Sequence, residues 1–197
     1  MVERLDLAIG RLLEALDRGA HSPQTLVIFT NDNGGERLSN NGTASHRKMT
    51  LWEGGVRVPA IMRWPGHIRP RTTTAQVAIT MDFTATMLEA ARVPSPPLSP
   101  PLEGIDLMPI LTRQSPVRER TLFWRYIHHP LRQKSARQGR WKYLLDGIDE
   151  SLFDLETDPS ERTNLASQHP AKLRQLRVLL ANWEAGVDRS PPPFVIR

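Results

Sequence analysis

The sequence contains no cysteine, so no disulfide can hold its fold, although this absence leaves export from the cytoplasm open. It also lacks any run of about 18 apolar residues, so we expect no membrane span. Its first residues are amphipathic and do not form the charged segment and apolar segment of a signal peptide. Periplasmic and cytoplasmic locations therefore both remain open.

Lysine is scarce, because only four residues of this type occur in the chain: Lys48, Lys134, Lys142 and Lys172. Arginine therefore supplies most of the positive charge in a chain with a formal net charge of +5. The arginines are scattered along the sequence. No nucleic-acid-binding motif accompanies them, so we expect no specific nucleic-acid partner. A positive protein nevertheless exerts a modest attraction on anionic substrates.

A predicted buried strand leads directly into a polar turn. Residues 26–29 are continuously apolar and branched or aromatic, as in a parallel strand that is covered on both faces. The run stops at Asn31, Asp32 and Asn33, which precede two glycines. In an open α/β sheet, ligands bind beyond the carboxyl ends of the strands. Asp32 and Asn33 offer one charged and one neutral oxygen, which are ligands suited to Ca²⁺ or Mg²⁺.

Each of these features also has an ordinary structural interpretation. Asn-Gly and Asp-Asn steps are the residues that tight turns use to reach positive φ. Most lysines, such as Lys48 here, are solvated surface charges, and most Gly-Gly pairs are turns. It is the combination of the turn, the lysine and a following double glycine that favours a functional site.

Two segments, residues 29–35 (FTNDNGG) and 48–66 (KMTLWEGGVRVPAIMRWPG), resemble the metal-binding turn and the sulfate-lysine segment of the sulfatase family, within the alkaline-phosphatase-like superfamily. The resemblance continues through residues 81–88, 138–143 and 152–165, and so covers nearly the whole chain. It implies that Asp32 and Asn33 are ligands of a divalent cation, with Ca²⁺ expected before Mg²⁺. It also implies that Lys48 contacts the sulfate group of a sulfate ester.

The family's nucleophile is a formylglycine made from the first residue of a Cys/Ser-x-Pro-x-Arg motif, and this motif is missing here. Residues 115–118 (SPVR) place the proline one position too early and lie too far downstream. The family's adjacent Asp-Asp pair and its upstream active-site Lys and His also have no counterpart. The resemblance thus implies the C-terminal portion of a sulfatase, inactive alone, with formylglycine expected in an upstream part and an upstream complementary chain as a partner.

The resemblance and the pattern together predict an α/β fold in two parts. Residues 1–114 are expected to be the remainder of an alkaline-phosphatase-like sandwich, a mainly parallel sheet with helices, and residues 115–197 a small antiparallel α+β subdomain. The proline-rich residues 94–101 predict a stiff connector. The predicted elements are a helix ending near Gly19, strands at 25–30 and 60–64, a helix at 82–91 capped by Thr80 or Asp82, strands at 121–127, 141–145 and 151–155, and a helix from Pro170 to Gly186.

Other candidate residues receive structural interpretations. His128 and His129 are adjacent on a predicted strand and therefore point to opposite faces, which argues against a shared metal. His46 precedes Lys48 by two residues but is expected to lie on a surface loop. Asp154 is expected in a turn, and the guanidinium of Arg57 is expected to hold the Lys48 loop through backbone carbonyls or a carboxylate.

The predicted function is that of a sulfuric ester hydrolase, an arylsulfatase-like enzyme of which this chain supplies metal ligands and a sulfate-binding lysine. Two alternatives stay open from the sequence. One is part of a phosphonate or phosphodiester hydrolase of the same superfamily, and the other is a non-catalytic module that binds polyanions.

Overall fold

The computed structural model describes residues 2–93 and 102–189. The predicted proline-rich connector at residues 94–101 lies outside the described residues. Contacts group the chain into two compact units, the first formed by residues up to Thr30 together with Pro59–Arg118, and the second by Asn31–Val58 together with residues from Glu119 onward. The predicted division into residues 1–114 and 115–197 stays a prediction about domains.

The first unit contains helices and a two-stranded sheet. In chain order its elements are α1 (Val2–Arg18), a 3-10 turn (Ser22–Gln24), β1 (Val27–Thr30), β2 (Ala60–Arg63), α3 (Thr80–Ala90) and α4 (Met108–Leu111). Each predicted helix and strand of this part of the chain is present, with bounds shifted by a few residues. In the part of the chain that the structure describes, no helix has the length and apolar character needed to cross a membrane.

The direction of strand pairing corrects one detail of the predicted sheet. β1 and β2 are antiparallel, with Val27 opposite Arg63 and Thr30 opposite Ala60, and no parallel pair occurs within the described ranges. All four residues of β1 are half-buried, so the strand is not fully covered on both faces. The apolar run identified the strand but not its direction, because hydrophobic patterning reports burial and not the orientation of the neighbouring strand.

Asp82 caps α3 from inside its first turn. The helix starts at Thr80, and the carboxylate of Asp82 accepts the backbone N–H of Ile79 at 2.8 Å and that of Ile105 at 3.0 Å. Asp82 is fully buried. Its two acceptor oxygens therefore satisfy a helix end and also attach the segment that precedes α4.

The second unit is built on a four-stranded antiparallel sheet. Its elements are α2 (Glu53–Val56), β3 (Thr121–His128), β4 (Leu131–Gln138), β5 (Trp141–Asp146), β6 (Asp149–Asp154) and α5 (Pro170–Arg189). The strands lie in the order in which they occur in the chain, β3-β4-β5-β6. This unit confirms the predicted antiparallel α+β part. The helices and sheets of the chain also confirm the predicted mixed α/β fold class.

The sequence did not predict β4, because its residues LRQKSARQ show little hydrophobic alternation. Gln133 and Ser135 of this strand are buried, and both are hydrogen-bonded: the Ser135 hydroxyl donates to the Tyr143 carbonyl at 2.8 Å, and Gln133 contacts Leu51 and Asp146. A strand whose buried side chains are polar and hydrogen-bonded cannot be predicted from a hydrophobicity pattern.

The two faces of this sheet are covered by different parts of the chain. On one face, a core cluster joins α5 to the sheet and contains Ala136, Tyr143, Leu152, Leu173, Leu176 and Leu180. Because side chains alternate along a strand, Leu144 and Phe153 point to the other face, where they pack with Leu51 of residues 31–58. This second face is the one that holds the predicted site segment.

Helix α5 confirms the predicted start at Pro170 but continues past Gly186 to Arg189. A glycine inside a helix costs roughly 1 kcal/mol relative to alanine, an amount that tertiary packing readily offsets. Burial of Leu173, Leu176 and Leu180 against the sheet supplies that packing.

Candidate functional site

The predicted metal turn follows the last residue of β1. Asp32 is exposed, and within the described ranges its side chain makes no hydrogen bond or ion pair. Asn33 is half-buried, and its side-chain nitrogen donates to the carbonyl of Gly34 at 3.0 Å. This bond fixes the amide orientation, so the Asn33 Oδ1 and the Asp32 carboxylate are the acceptor atoms that the turn presents.

The lysine segment contacts this turn through its backbone. The backbone N–H of Lys48 donates to the carbonyl of Gly35 at 3.0 Å, two residues after Asn33. The Lys48 ammonium lies 3.6 Å from Glu36 Oε1, and the side chains of the two residues are 41% and 69% exposed. An exposed ion pair of this kind contributes about 0–1 kcal/mol, so it holds the ammonium only weakly.

The structure thus brings the Lys48 backbone to the metal turn. That its ammonium and the Asp32 carboxylate face one cavity stays a prediction.

Glycines allow the backbones of this site to approach closely. The N–H of Gly34 donates to the carbonyl of Gly55 at 2.9 Å, and the N–H of Gly54 donates to that of Ser45 at 2.7 Å. A Cβ added at Gly34 would lie 1.8 Å from the carbonyl oxygen of Gly54. Glycine is therefore required at Gly34 and Gly54 because three backbone segments are in contact there, and not only because of turn geometry.

We expect Gly34→Ala to destabilise the second unit by at least about 1–3 kcal/mol, the range for forcing extra volume into packed structure, because its Cβ would overlap a carbonyl oxygen. Gly186→Ala is the matched control, since a Cβ there meets nothing within 4 Å. In the interior of α5 it should stabilise by about 0.5–1 kcal/mol. Urea denaturation measures both changes, and equal stability of the two variants would contradict the close approach.

The donor set suits a hard divalent cation but is incomplete. Asp32 and Asn33 supply two oxygens, whereas Ca²⁺ takes about 6–8. Within residues 2–93 and 102–189, no group of three or more His, Cys, Asp or Glu side chains is placed to hold a metal ion. The chemistry of the two residues therefore fits only a part of the coordination shell of such a cation.

A buried charged cluster, which the sequence did not reveal, lies beside this loop. The ammonium of Lys142 is 2.8 Å from a carboxylate oxygen of Glu53 and 2.8 Å from one of Glu161. The side chains of Lys142, Glu53 and Glu161 are 1%, 2% and 0% exposed. The second carboxylate oxygen of Glu161 accepts the backbone N–H of Glu53 at 2.6 Å. We call these three residues the buried triad.

Two arginines complete the surroundings of the buried triad. The guanidinium groups of Arg137 and Arg57 lie 3.8 and 3.9 Å from Glu53 Oε2. Arg57 thus reaches a carboxylate at the start of α2, one of the two kinds of contact expected for it. Burial raises the pKa of Glu161, against the opposing effect of Lys142, and burial lowers the pKa of Arg137, against that of Glu53.

Polar side chains of β4 and β5 fix the residues between Lys48 and Glu53. The backbone N–H of Leu51 donates to the side-chain oxygen of Gln133 at 2.7 Å. Asp146 accepts hydrogen bonds from Gln133 at 2.7 Å and from the Trp52 indole at 3.2 Å. On the other side of Lys48, the Ser45 hydroxyl donates to the carbonyl of Ser160.

His46 stacks on Trp52, with ring centroids 4.2 Å apart and an angle of 16° between the ring planes. Desolvation lowers the pKa of His46, which disfavours its charged form. His128 ends β3 with its ring 6.3 Å from that of Tyr126. Asp154 is buried and paired with Arg140, which agrees with a structural role.

Residues 1–93 match the family model described as Sulfatase. A sulfatase from Formosa agariphila is 33% identical over 198 residues, which cover 87% of this chain and 35% of that protein. Arylsulfatase A from Homo sapiens is 33% identical over 225 residues, which cover 95% of this chain and 44% of that protein. The chain therefore spans less than half the length of these two relatives.

A similar fold occurs in the crystal structure of Ps i-CgsB in complex with k-i-k-neocarrahexaose, with a TM-score of 0.86 and 24% sequence identity. The similarity covers 93% of this chain and 41% of that one. The family model, the relatives and the fold thus agree. The chain belongs to the sulfatase family, whose members are sulfuric ester hydrolases.

Proposed function

We propose that these 197 residues form part of a sulfatase active site in which Asp32 and Asn33 hold a divalent cation, Ca²⁺ before Mg²⁺, and Lys48 binds the sulfate group of an ester. The observation that carries the proposal is the hydrogen bond between the Lys48 backbone and Gly35, which brings the lysine segment against the metal turn. The arylsulfatase A relative supports an ester of an aryl alcohol as a test substrate.

The proposed roles follow from charge. Lysine is a compact cation on a flexible stem, and its weak pairing with Glu36 leaves it free to exchange that partner for a sulfate oxygen. Electrostatic stabilisation of this type is usually the largest single contribution to catalysis. A cation held by Asp32 and Asn33 would supply further positive charge to stabilise the charge that develops in the reaction.

The chain contributes no nucleophile of the family's type. It has no cysteine, and no serine within it begins a Ser-x-Pro-x-Arg sequence. We therefore propose that this polypeptide supplies ligands and a sulfate contact, and that a separate sequence carrying the modified residue completes the reaction.

Cation binding gives a direct test of the metal turn. We expect Ca²⁺ to bind the chain with a Kd weaker than about 10⁻⁵ M, the range of complete sensor sites, because only two oxygens are provided. Asp32→Asn should weaken the binding further, since it removes the only charged ligand. The control is Asp149→Asn, which changes an exposed aspartate at the start of β6. Isothermal titration calorimetry measures all three proteins, and equal affinity for Asp32→Asn and the wild type would contradict the assignment.

Sulfate binding tests the lysine in the same way. Inorganic sulfate is expected to shift the NMR signals of Lys48 and Gly35, and Lys48→Ala should abolish the saturable part of that shift. Lys172→Ala, at the start of α5, is the control because its ammonium contacts Gln138 and Gln175. Shifts that are equal in both variants would contradict a sulfate contact at Lys48.

A further inference from the structure

The loop that carries the proposed ligands is held mainly by the C-terminal sheet of its own unit. Besides the apolar packing of Leu51 on Leu144 and Phe153, three sets of polar contacts join the described residues 31–58 to that sheet or to the segment after β6: the buried triad, the Gln133–Asp146 pair and the Ser45–Ser160 hydrogen bond. The buried triad is the only one of these three that involves fully buried charges.

A continuous path of contacts connects Lys142 to the proposed ligands. Its ammonium pairs with Glu53, the first residue of α2. The next two residues of α2 bond directly to the site loop, because the N–H of Gly54 donates to Ser45 and the carbonyl of Gly55 accepts from Gly34. Gly34 adjoins Asn33, and Ser45 lies three residues before Lys48. Any shift of Glu53 would therefore move both the metal turn and the segment that carries Lys48.

The geometry of the triad leaves Glu53 little freedom. Its backbone N–H and its side chain are both bound, the first by Glu161 Oε2 at 2.6 Å and the second by Lys142 at 2.8 Å. Because charged hydrogen bonds in a buried setting are strong and directional, the residue is fixed at two points. No apolar side chain would specify the position and rotation of α2 in this way.

From this path we infer that Lys142 is a positioning residue for the sulfate-binding Lys48 and for the metal turn, acting through Glu53 and the Gly54-Gly55 backbone. The inference rests on the proposed function for the roles of Lys48 and Asn33. The arrangement of the loop itself rests only on the contacts of the buried triad.

The test uses the 197-residue chain and two measurements on Lys142→Met. The first is sulfate affinity by NMR titration with inorganic sulfate, which we expect to fall at least about tenfold under conditions where the variant is folded. The second is amide hydrogen exchange, where the amides of Gly34, Lys48 and Gly54 should lose about tenfold more protection than those of β5. Lys142→Arg, which keeps the charge, should restore much of both.

Leu152→Ala is the matched control. It removes core volume on the α5 face of the same sheet, and so destabilises the unit without touching the triad. In that variant the exchange of loop and strand amides should rise together, and the folded protein should keep its sulfate affinity. If Lys142→Met and Leu152→Ala give the same pattern, the role of Lys142 is merely structural and the inference is overturned.

The outcomes separate the two proposals. If the wild type shows no sulfate binding, the proposed function fails, but selective exchange of the loop amides in Lys142→Met still supports positioning. If Lys142→Met does not fold, Glu53→Gln carries the comparison, because it removes the carboxylate charge with which the Lys142 ammonium pairs. Unchanged loop exchange in a folded Glu53→Gln would overturn the inference.

Discussion

The purified chain is expected to show no hydrolysis of an aryl sulfate in the presence of Ca²⁺. Activity is expected to appear after addition of a separately expressed upstream half that carries the modified nucleophile. The reason is that catalytic groups that act as a unit lose most of their effect when one is missing. The chain itself contains no cysteine and no serine in the required motif. A discontinuous rate assay of released phenol, before and after mixing, measures the difference.

In the mixed sample, Lys48→Ala should lower kcat by about 10²–10³-fold, the usual effect of removing one group that stabilises developing charge. Lys172→Ala should leave the rate unchanged. Activity of the chain alone that is abolished by Lys48→Ala would overturn the proposal that this polypeptide needs a complementary part. Faster hydrolysis of an aryl phosphate diester than of the aryl sulfate would instead favour the phosphodiester alternative.

The second large effect concerns stability. Lys142→Met should lower the free energy of unfolding by about 3–5 kcal/mol, because it leaves the carboxylates of Glu53 and Glu161 buried with no ammonium between them. Lys134→Met is the control, since Lys134 pairs with Glu184 at the surface of the sheet and is 33% exposed. That change should cost no more than about 1 kcal/mol. Urea denaturation followed by tryptophan fluorescence measures both.

A triple variant tests whether unpaired charge causes the loss of stability in Lys142→Met. Combining Glu53→Gln, Lys142→Met and Glu161→Gln removes every buried charge of the triad. It should be more stable than Lys142→Met alone, because the cost of the single change comes from unpaired charge and not from lost volume. A triple variant that is less stable than the single one would contradict the electrostatic explanation.

Local pattern was enough to find most of the secondary structure. The leucines of α1 and α5 recur at helical spacing, and the apolar run before Asn31 marks β1. The same pattern could not give the antiparallel direction of β1, because burial does not encode the orientation of a partner. It also missed β4, where Gln133 and Ser135 are buried with hydrogen-bond partners.

The candidate site also contains residues that the sequence predicts and residues that it does not. The resemblance of their segments to those of a family indicates Asp32, Asn33 and Lys48, and the contact between the Lys48 backbone and Gly35 places those segments together. No local sequence pattern reveals the buried triad, because Glu53 lies 89 residues from Lys142 and 108 from Glu161. In sequence each is an ordinary charged residue, and only the fold shows that the Lys142 ammonium contacts both carboxylates.

These separations bear on how the protein folds during synthesis. The site loop leaves the ribosome well before Lys142 and Ser160, its partners 89 residues from Glu53 and 115 residues from Ser45. Contacts between such distant residues close large loops and form late. Until β5 and the segment after β6 have been made, Leu51 and Trp52 have no sheet to cover. We therefore expect the residues proposed to bind cation and sulfate to be among the last to be fixed, and a nascent chain that has not yet reached Glu161 to hold them in no defined arrangement.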